Sequence, residues 1–430
     1  MNEAADGKMG LWAVVSLGVG GMVGGGIFAV LGLAVQMAHG GTPVAFALAG
    51  MVALLTAYSY AKLSVAYPSR GGTVSFLDRT FGAGMFTGSL NVLLWLSYVV
   101  MLSLYAFAFG SYGATFLPQA WQGTGKHALI SLAVIAIAGM NLLNAGLIGK
   151  AEIWIVAIKL AILLLFVGVG FSGIHASRIA PGSWSPPLQL AAGGMIIFLA
   201  YEGFELIANT ANDVRDVAKT LPRAYYTAVV FVIALYVLVA LVTVGNLPVD
   251  KIVAAKDFAL AEAARPFLGQ AGFTLIAIAA MLSTASAINA TLYGAARLSY
   301  CIARDGELPA ELERKVWGQP VEGLLITAGL TLFVANVFDL TSIATLGSAG
   351  FLLIFAAVNS ANARHAPHTH SSGWISAAGV LACLVAFGAL VWQTATTAPA
   401  KLWVLAAMLA LAVLIEGAFR LAKREIRLHE

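Results

Sequence analysis

The sequence predicts an all-α integral membrane protein of twelve transmembrane helices: two five-helix repeats of opposite orientation and two further helices, with helices one and six broken at mid-membrane. Three observations predict it. The 430 residues are 60% apolar and only 10% charged, with a mean hydropathy of +0.88, whereas a soluble domain carries about 25% charged residues. Twelve stretches are long and apolar enough to cross the hydrocarbon core, which takes about twenty residues of helix. The first and the sixth each carry a glycine-containing interruption, and breaks at corresponding places in two halves mark an inverted repeat.

In the first repeat, residues 1–173, the stretches run 12–36, 43–66, 83–117, 127–147 and 151–173. In the second, residues 174–361, they run 190–212, 222–245, 270–302, 322–338 and 342–361. Residues 362–430 add 374–394 and 400–422 and end on the basic tail AKREIRLHE, which is expected to meet anionic lipid. The connections are short except for the polar stretches 67–82, 246–269 and 303–321. An odd number of helices per repeat puts the two copies in opposite orientations. Of the 24 lysines and arginines, 17 fall on the side that holds both termini and 6 on the other. Basic residues collect on the cytoplasmic side, so both termini are expected inside a multi-pass protein of the cell's inner (plasma) membrane. The opening MNEAADGKMG has neither a basic n-region nor a small-residue cleavage site, so span one is expected to stay in the mature chain.

Several function classes are excluded on the same basis. Cys301 and Cys383 lie in separate apolar stretches and form neither a disulfide framework nor a metal cluster. The net charge of +4 is scattered over segment ends, so no nucleic-acid partner is expected. No HExxH motif, intramembrane histidine or aspartate pair serves an enzyme. A channel calls for a carboxylate ring or filter loop, which a single twelve-span chain lacks. A sensor calls for a signalling domain, and only about ten residues at either end lie outside the spans. His365, His368 and His370 sit on a short loop without a cysteine partner and read as solvated. No metal or cofactor is expected.

The one basic residue outside that partition is Lys159, in the middle of EIWIVAIKLAILLLFVG. Glu202 and Glu205 lie near the middle of span six in MIIFLAYEGFELIANTA. A charge at the bilayer centre costs about 2.5–3.5 kcal/mol even on the gentler scale, so such residues read as functional by default. A structural Lys–Glu pair is the plain alternative. The functional expectation is that at least one of the three titrates during a working cycle, which suits proton coupling.

Span one carries VGGMVGGGIFAVLG at residues 19–32. Glycine weakens a helix by about 1 kcal/mol relative to alanine. Gly20 with Gly24 and Gly21 with Gly25 have the spacing of close helix packing, but three glycines in succession, Gly24 to Gly26, read as a break. Irregular backbone at membrane depth is tolerated only where protein or a watery cavity surrounds it. Tyr201-Glu202-Gly203 is the matching interruption in span six, about 177 residues on.

The chain here resembles the amino acid, polyamine and organocation (APC) superfamily of secondary transporters, of the proton-coupled amino acid permease type. The resemblance rests on GVGGMVGGGIFAVLG in span one, FLAYEGFELIANTANDVRDVAKTLPRA from span six into span seven, and GAARLSYCIARDGELP closing span eight. It implies a leucine-transporter-like fold, a substrate at the unwound centres of helices one and six, and alternating access.

The half-helix starting after the glycines offers free amides and a positive dipole end. A substrate carboxylate is expected on Gly24, Gly25 and Gly26, with Ile27 next. The first half of span six, ending near Ala200, offers carbonyls for an ammonium, so an α-amino acid fits both. Phe198 and Tyr201, with Gly203 in the break, are expected at the substrate, and Phe204 can wall it, with simple packing as the plain alternative for each aromatic. In span three Tyr98, Ser103 and Tyr105 have no facing that periodicity assigns. Glu202 either attracts a cationic amino acid or polyamine, by import or exchange, or carries the coupled proton. In sodium-coupled relatives a cation lies between helix-one carbonyls and helix-eight hydroxyls. The corresponding positions are Gly20 and Val23 with Ala280, Ser283 and Thr284. Some proton-coupled members put a helix-five lysine there, and Lys159 fits by segment and depth. Repulsion between that ammonium and Na⁺ predicts no sodium requirement. NDVRDVAKTLPRA is expected to be a cytoplasmic loop leading to Pro222 at the start of span seven, and Asp305-Gly306 a turn after span eight.

Overall fold

The computed structural model describes residues 8–69, 71–143, 148–304 and 321–421, with backbone alone at 143, 148–153, 256 and 300–304. The Asp305-Gly306 turn, the basic tail and the Cys301 side chain lie outside the described residues.

Among the described residues the architecture is helical, with two isolated β-bridges and no sheet. Among the described residues nine helices are long and apolar enough to cross a membrane singly. Two bent pairs add Leu11–Met22 with Gly26–Ala38, at 47°, and Pro187–Ile196 with Phe198–Asp213, at 50°. The shorter apolar helix Val321–Val337 completes the twelve expected spans. Spans one and six are therefore the bent pairs, as the glycine pattern predicts. Spans two to five are Thr42–Ala66, Met85–Ala114, Gln122–Leu143 and Ile148–Gly170. Span seven is Val217–Asn246, span eight lies within Ala259–Arg304, and spans ten to twelve are Leu340–Arg364, Gly373–Thr397 and Ala400–Leu421.

Connections differ more than spans. Helix 217–246 begins five residues before Pro222, so the polar run 212–224 is largely helical and its irregular part shrinks to a tight corner. Asp216, at φ 49°, makes that corner, and Pro222 falls inside the helix, past its first four unpartnered amides, so its missing N–H leaves the Ala218 carbonyl without that intrahelical donor. The polar stretch 246–269 folds into the short helix Val249–Ala254, a 3₁₀ turn at Lys256–Phe258 and the first residues of the Ala259–Arg304 helix. That helix has 46 residues and bends at Gly269, where φ is 61°. Straight, it would run about 70 Å at 1.5 Å per residue, more than twice the hydrocarbon core. The bend leaves its first part outside the span.

Burial orders the layers. Span three is 94% buried over its apolar window and runs through the centre, while span twelve is 22% buried and lies at the rim. Exposed leucines and isoleucines cover the rim helices, and Trp12, Trp154, Trp374 and Trp403 stand exposed near helix starts. An interfacial aromatic belt needs that placement. The N-terminal segment is tied to the corner after span six: Met9 N donates to Asp213 O at 2.8 Å and Arg215 N to Met9 O at 2.9 Å.

Candidate functional site

A helix leaves its last four carbonyls without intrahelical partners, and a break inside a membrane creates that shortage where no water can meet it. At the break of span one, side chains from three other spans supply the donors. Lys159 Nζ, on span five, donates to Gly20 O at 3.0 Å. The Tyr236 hydroxyl, on span seven, donates to Met22 O at 2.7 Å. Ser283, on span eight, donates to Val23 O at 3.1 Å and also contacts Gly24 O. Thr284 gives its hydroxyl to Ala280 O at 2.7 Å, and its methyl faces Gly25, where an added Cβ would come within 2.8 Å. The fold thus gathers Lys159 with Gly20, Val23, Ser283 and Thr284 around one unwound turn.

The break of span six is longer. Its first half ends at Ile196, earlier than the Ala200 expected, and a 3₁₀ turn, Phe198–Tyr201, follows. Glu202 is extended, and Gly203 adopts φ 116°, a left-handed value open to glycine at little cost. Ser348, on span ten, bridges the bend: its hydroxyl donates to Ile196 O at 2.8 Å and accepts from Leu199 N at 3.1 Å.

The two breaks face each other backbone to backbone. A Cβ on Gly203 would lie 2.7 Å from Met22 N, and one on Gly21 would lie 2.9 Å from Gly203 O. A Cβ on Gly26 would lie 2.8 Å from Ala200 Cα. Over Gly24 and Gly25 sit Tyr105 from span three and Ala287 from span eight, the latter 3.0 Å from a Cβ built on Gly24. The glycines divide their labour: Gly18 meets Ile207 and Gly20 meets Val156, which is packing, while Gly24 and Gly25 form the break itself. Ile27, Phe198 and Tyr201 are fully buried beside it. Phe198 packs on Phe355 at 5.9 Å between ring centres, and the Tyr201 hydroxyl is committed to Phe46 O at 2.9 Å.

Next to the break lies a buried acidic pair. Glu202 and Glu205 are both buried there. Glu205 accepts from Gly203 N at 2.8 Å and from the Tyr98 hydroxyl at 3.1 Å. A cavity of about 30 Å³ lined by Tyr98, Leu206, Asn209 and Thr291 lies between spans three, six and eight. That volume holds two or three waters, since each needs about 10–15 Å³. Ser103 points elsewhere, donating to Val99 O at 2.8 Å and Thr331 O at 3.3 Å.

The three span-three candidates thus separate: Tyr105 covers the glycines, Tyr98 meets Glu205, and Ser103 meets span nine. Sequence reasoning did not reach Tyr236, Ser348 or Ala287. The available signal was indirect: each broken helix needs donors, and a hydroxyl in a fully buried span is a candidate supplier. Among the described residues no three His, Cys, Asp or Glu side chains group to hold a metal ion. His365 instead bonds the Tyr67 hydroxyl at 3.3 Å.

The profile of a family described as amino acid permease matches residues 9–423. An uncharacterized protein of Methanocaldococcus jannaschii is 40% identical over 82% of this chain and 81% of its own. An inner membrane transport protein of Escherichia coli is 35% identical over 93% and 94%. A methylthioribose transporter of Bacillus subtilis is 28% identical over 80% and 77%.

Proposed function

Because this chain belongs to the amino acid permease family of the APC superfamily, we propose that it is a proton-coupled symporter of amino acids in the cell's inner membrane, working by alternating access. The observation that carries this reading is the apposition of the two broken helices with the Lys159 ammonium on Gly20 O, 3.0 Å away. The substrate carboxylate binds the amides of Gly24, Gly25, Gly26 and Ile27, where the outer half of span one begins at Gly26. Its ammonium binds carbonyls of the 197–203 turn. Phe198 and Tyr201 border the side chain, and Tyr105 must swing off Gly24 and Gly25 for the substrate to enter.

Coupling follows from the helix-one contacts. Gly20 O and Val23 O, with the span-eight hydroxyls, form the oxygen set a sodium ion would need, and an ammonium already stands on one of them. Na⁺ beside that charge in a low dielectric is strongly repelled. Loss of the Lys159 proton releases the first half of span one, and its return re-pins it.

Glu202 supports the same reading over a cationic substrate. Glu205 already accepts from Gly203 N and Tyr98, and the buried Glu202 beside it carries the coupled proton in this reading rather than a free negative charge for a lysine or polyamine. Repeats 1–173 and 174–361, both termini inside, and helices eleven and twelve as an appendage complete the proposed arrangement.

A thermal-shift screen of amino acids and polyamines on purified protein identifies the substrate, because a ligand of the folded state stabilises it in proportion to ln(1 + [L]/Kd). Uptake of that substrate into proteoliposomes under imposed pH or Na⁺ gradients then tests the coupling. Accumulation driven by a pH gradient alone is expected. Accumulation driven by Na⁺ alone overturns it.

A further inference from the structure

Span five and span ten each place one side chain on a broken helix, in each case on a carbonyl in the last turn of its first half. Lys159 donates to Gly20 O, two residues before the first half of span one ends at Met22. Ser348 donates to Ile196 O, the last residue of the first half of span six. In the proposed five-plus-five arrangement, spans five and ten are the final helices of their repeats. Each repeat therefore closes on its own broken helix through a last-turn carbonyl.

Ser348 does more than Lys159 at this point. It also accepts the Leu199 amide, so one hydroxyl holds both sides of the 50° bend between Ile196 and Phe198. Gly347 lets span ten come this close, since a Cβ there would lie 2.7 Å from Leu199 Cδ2. One turn beyond the next, Phe355 packs on Phe198 and on Phe204, at 5.9 and 5.3 Å, gripping span six before and after Gly203. Ser348 is fully buried, with both its hydrogen bonds inside the protein.

We infer that Ser348 is a positioning residue of the transport cycle, fixing the direction of the 197–203 turn that receives the substrate ammonium, as Lys159 fixes the first half of span one. The two pins differ in chemistry. Lys159 gains and loses a proton; a serine hydroxyl keeps its proton across the physiological range. The asymmetry makes the helix-one arm the proton-controlled one and the helix-six arm a constant. The inference rests on the transport reading for its functional half, and on the Ile196–Ser348–Leu199 geometry for its structural half.

Two measurements on Ser348→Ala and Ser348→Thr test it. The first is hydrogen–deuterium exchange of purified protein over residues 196–203. The Leu199 amide is expected to exchange faster in Ser348→Ala and at the wild-type rate in Ser348→Thr, which keeps the hydroxyl. The second is initial-rate uptake in proteoliposomes at several pH values. Ser348→Ala is expected to raise KM about three- to tenfold, the value of one buried hydrogen bond, with little change in maximal rate per folded molecule. The rise is the same at every pH, and Ser348→Thr brings KM back to within about twofold. An unchanged Leu199 exchange rate in Ser348→Ala overturns the inference by itself. So does an unchanged KM, a KM rise that varies with pH, or a failure of Ser348→Thr to reverse it. If Ser348→Ala yields no folded protein, Ser348→Cys, a weaker donor, is read by the same criteria. A wild type that transports no amino acid overturns the transport reading instead, and the exchange comparison still decides the Ser348 contact.

Discussion

The Tyr98 hydroxyl donates to Glu205 Oε1 across 3.1 Å, joining span three to the second half of span six. The other Glu205 oxygen accepts from Gly203 N at 2.8 Å. One carboxyl thus ties the left-handed glycine of the break to the central helix, whose Tyr98 lines a cavity with Asn209 and Thr291.

Opening that cavity is expected to break the Tyr98–Glu205 bond. Tyr98→Phe removes it without changing shape, at a cost of about 1–3 kcal/mol. The melting midpoint is expected to fall by several degrees, and Asn209→Cys in the Tyr98→Phe background to react faster with a membrane-impermeant maleimide. Equal labelling rates with and without the hydroxyl would show that the bond does not hold this crevice shut.

Gly203→Ala is expected to be severe, because it places a Cβ 2.7 Å from Met22 N at a backbone angle, φ 116°, that alanine avoids. Overpacking and backbone strain together come to about 2–5 kcal/mol. Gly139 is the control: nothing lies within 4 Å of a Cβ there, and alanine in a helix gains about 0.5–1 kcal/mol over glycine. Melting curves and uptake of the two variants, compared side by side, check the contrast.

Lys159→Ala and Lys159→Gln separate charge from contact. Both remove the titrating group, so uptake in either is expected to lose its pH dependence. Glutamine retains a donor for Gly20 O and is expected to melt closer to wild type than alanine does. A pH profile that survives in both variants moves the coupling site away from span five.

Asp339 predicts an acid limb of stability outside the membrane. It caps the Leu340–Arg364 helix by accepting from Ser342 N at 2.8 Å, and Lys401 Nζ lies 2.7 Å from its other oxygen. Partial burial disfavours its charge, but the hydrogen bonds from Lys401 and Ser342 outweigh this and hold its pKa below the ordinary aspartate value. A depressed carboxylate pKa contributes stability above the unfolded-state value, lost as pH falls through the folded one. Asp339→Asn is therefore expected to melt below wild type at neutral pH, with the difference closing as pH drops below about 3.9. A difference that is constant with pH would assign the effect to shape alone.

The span count and both breaks were legible because lipid enforces simple rules on a chain. Apolar length fixes a crossing, consecutive glycines at depth need enclosure, and a mid-span lysine or glutamate needs a reason. Lys159 was singled out on those grounds, and the fold sets it on Gly20 O. The helical folding of 246–269 was hidden because short surface helices take their stability from what they pack against, as Ile252 does on Val35.

The sequence by itself determined that helices one and six would break, and that Lys159, Glu202 and Glu205 would be buried, because those are properties of single segments in a solvent that cannot satisfy backbone or charge. Tertiary structure alone decided which hydroxyls close the breaks, that Tyr105 rather than Ser103 covers the glycines, and that Glu205 meets Tyr98. The reason is that span three is buried almost all round. A helix enclosed on every side has no polar face for periodicity to reveal, so the direction of each side chain is set by neighbours far away in the chain.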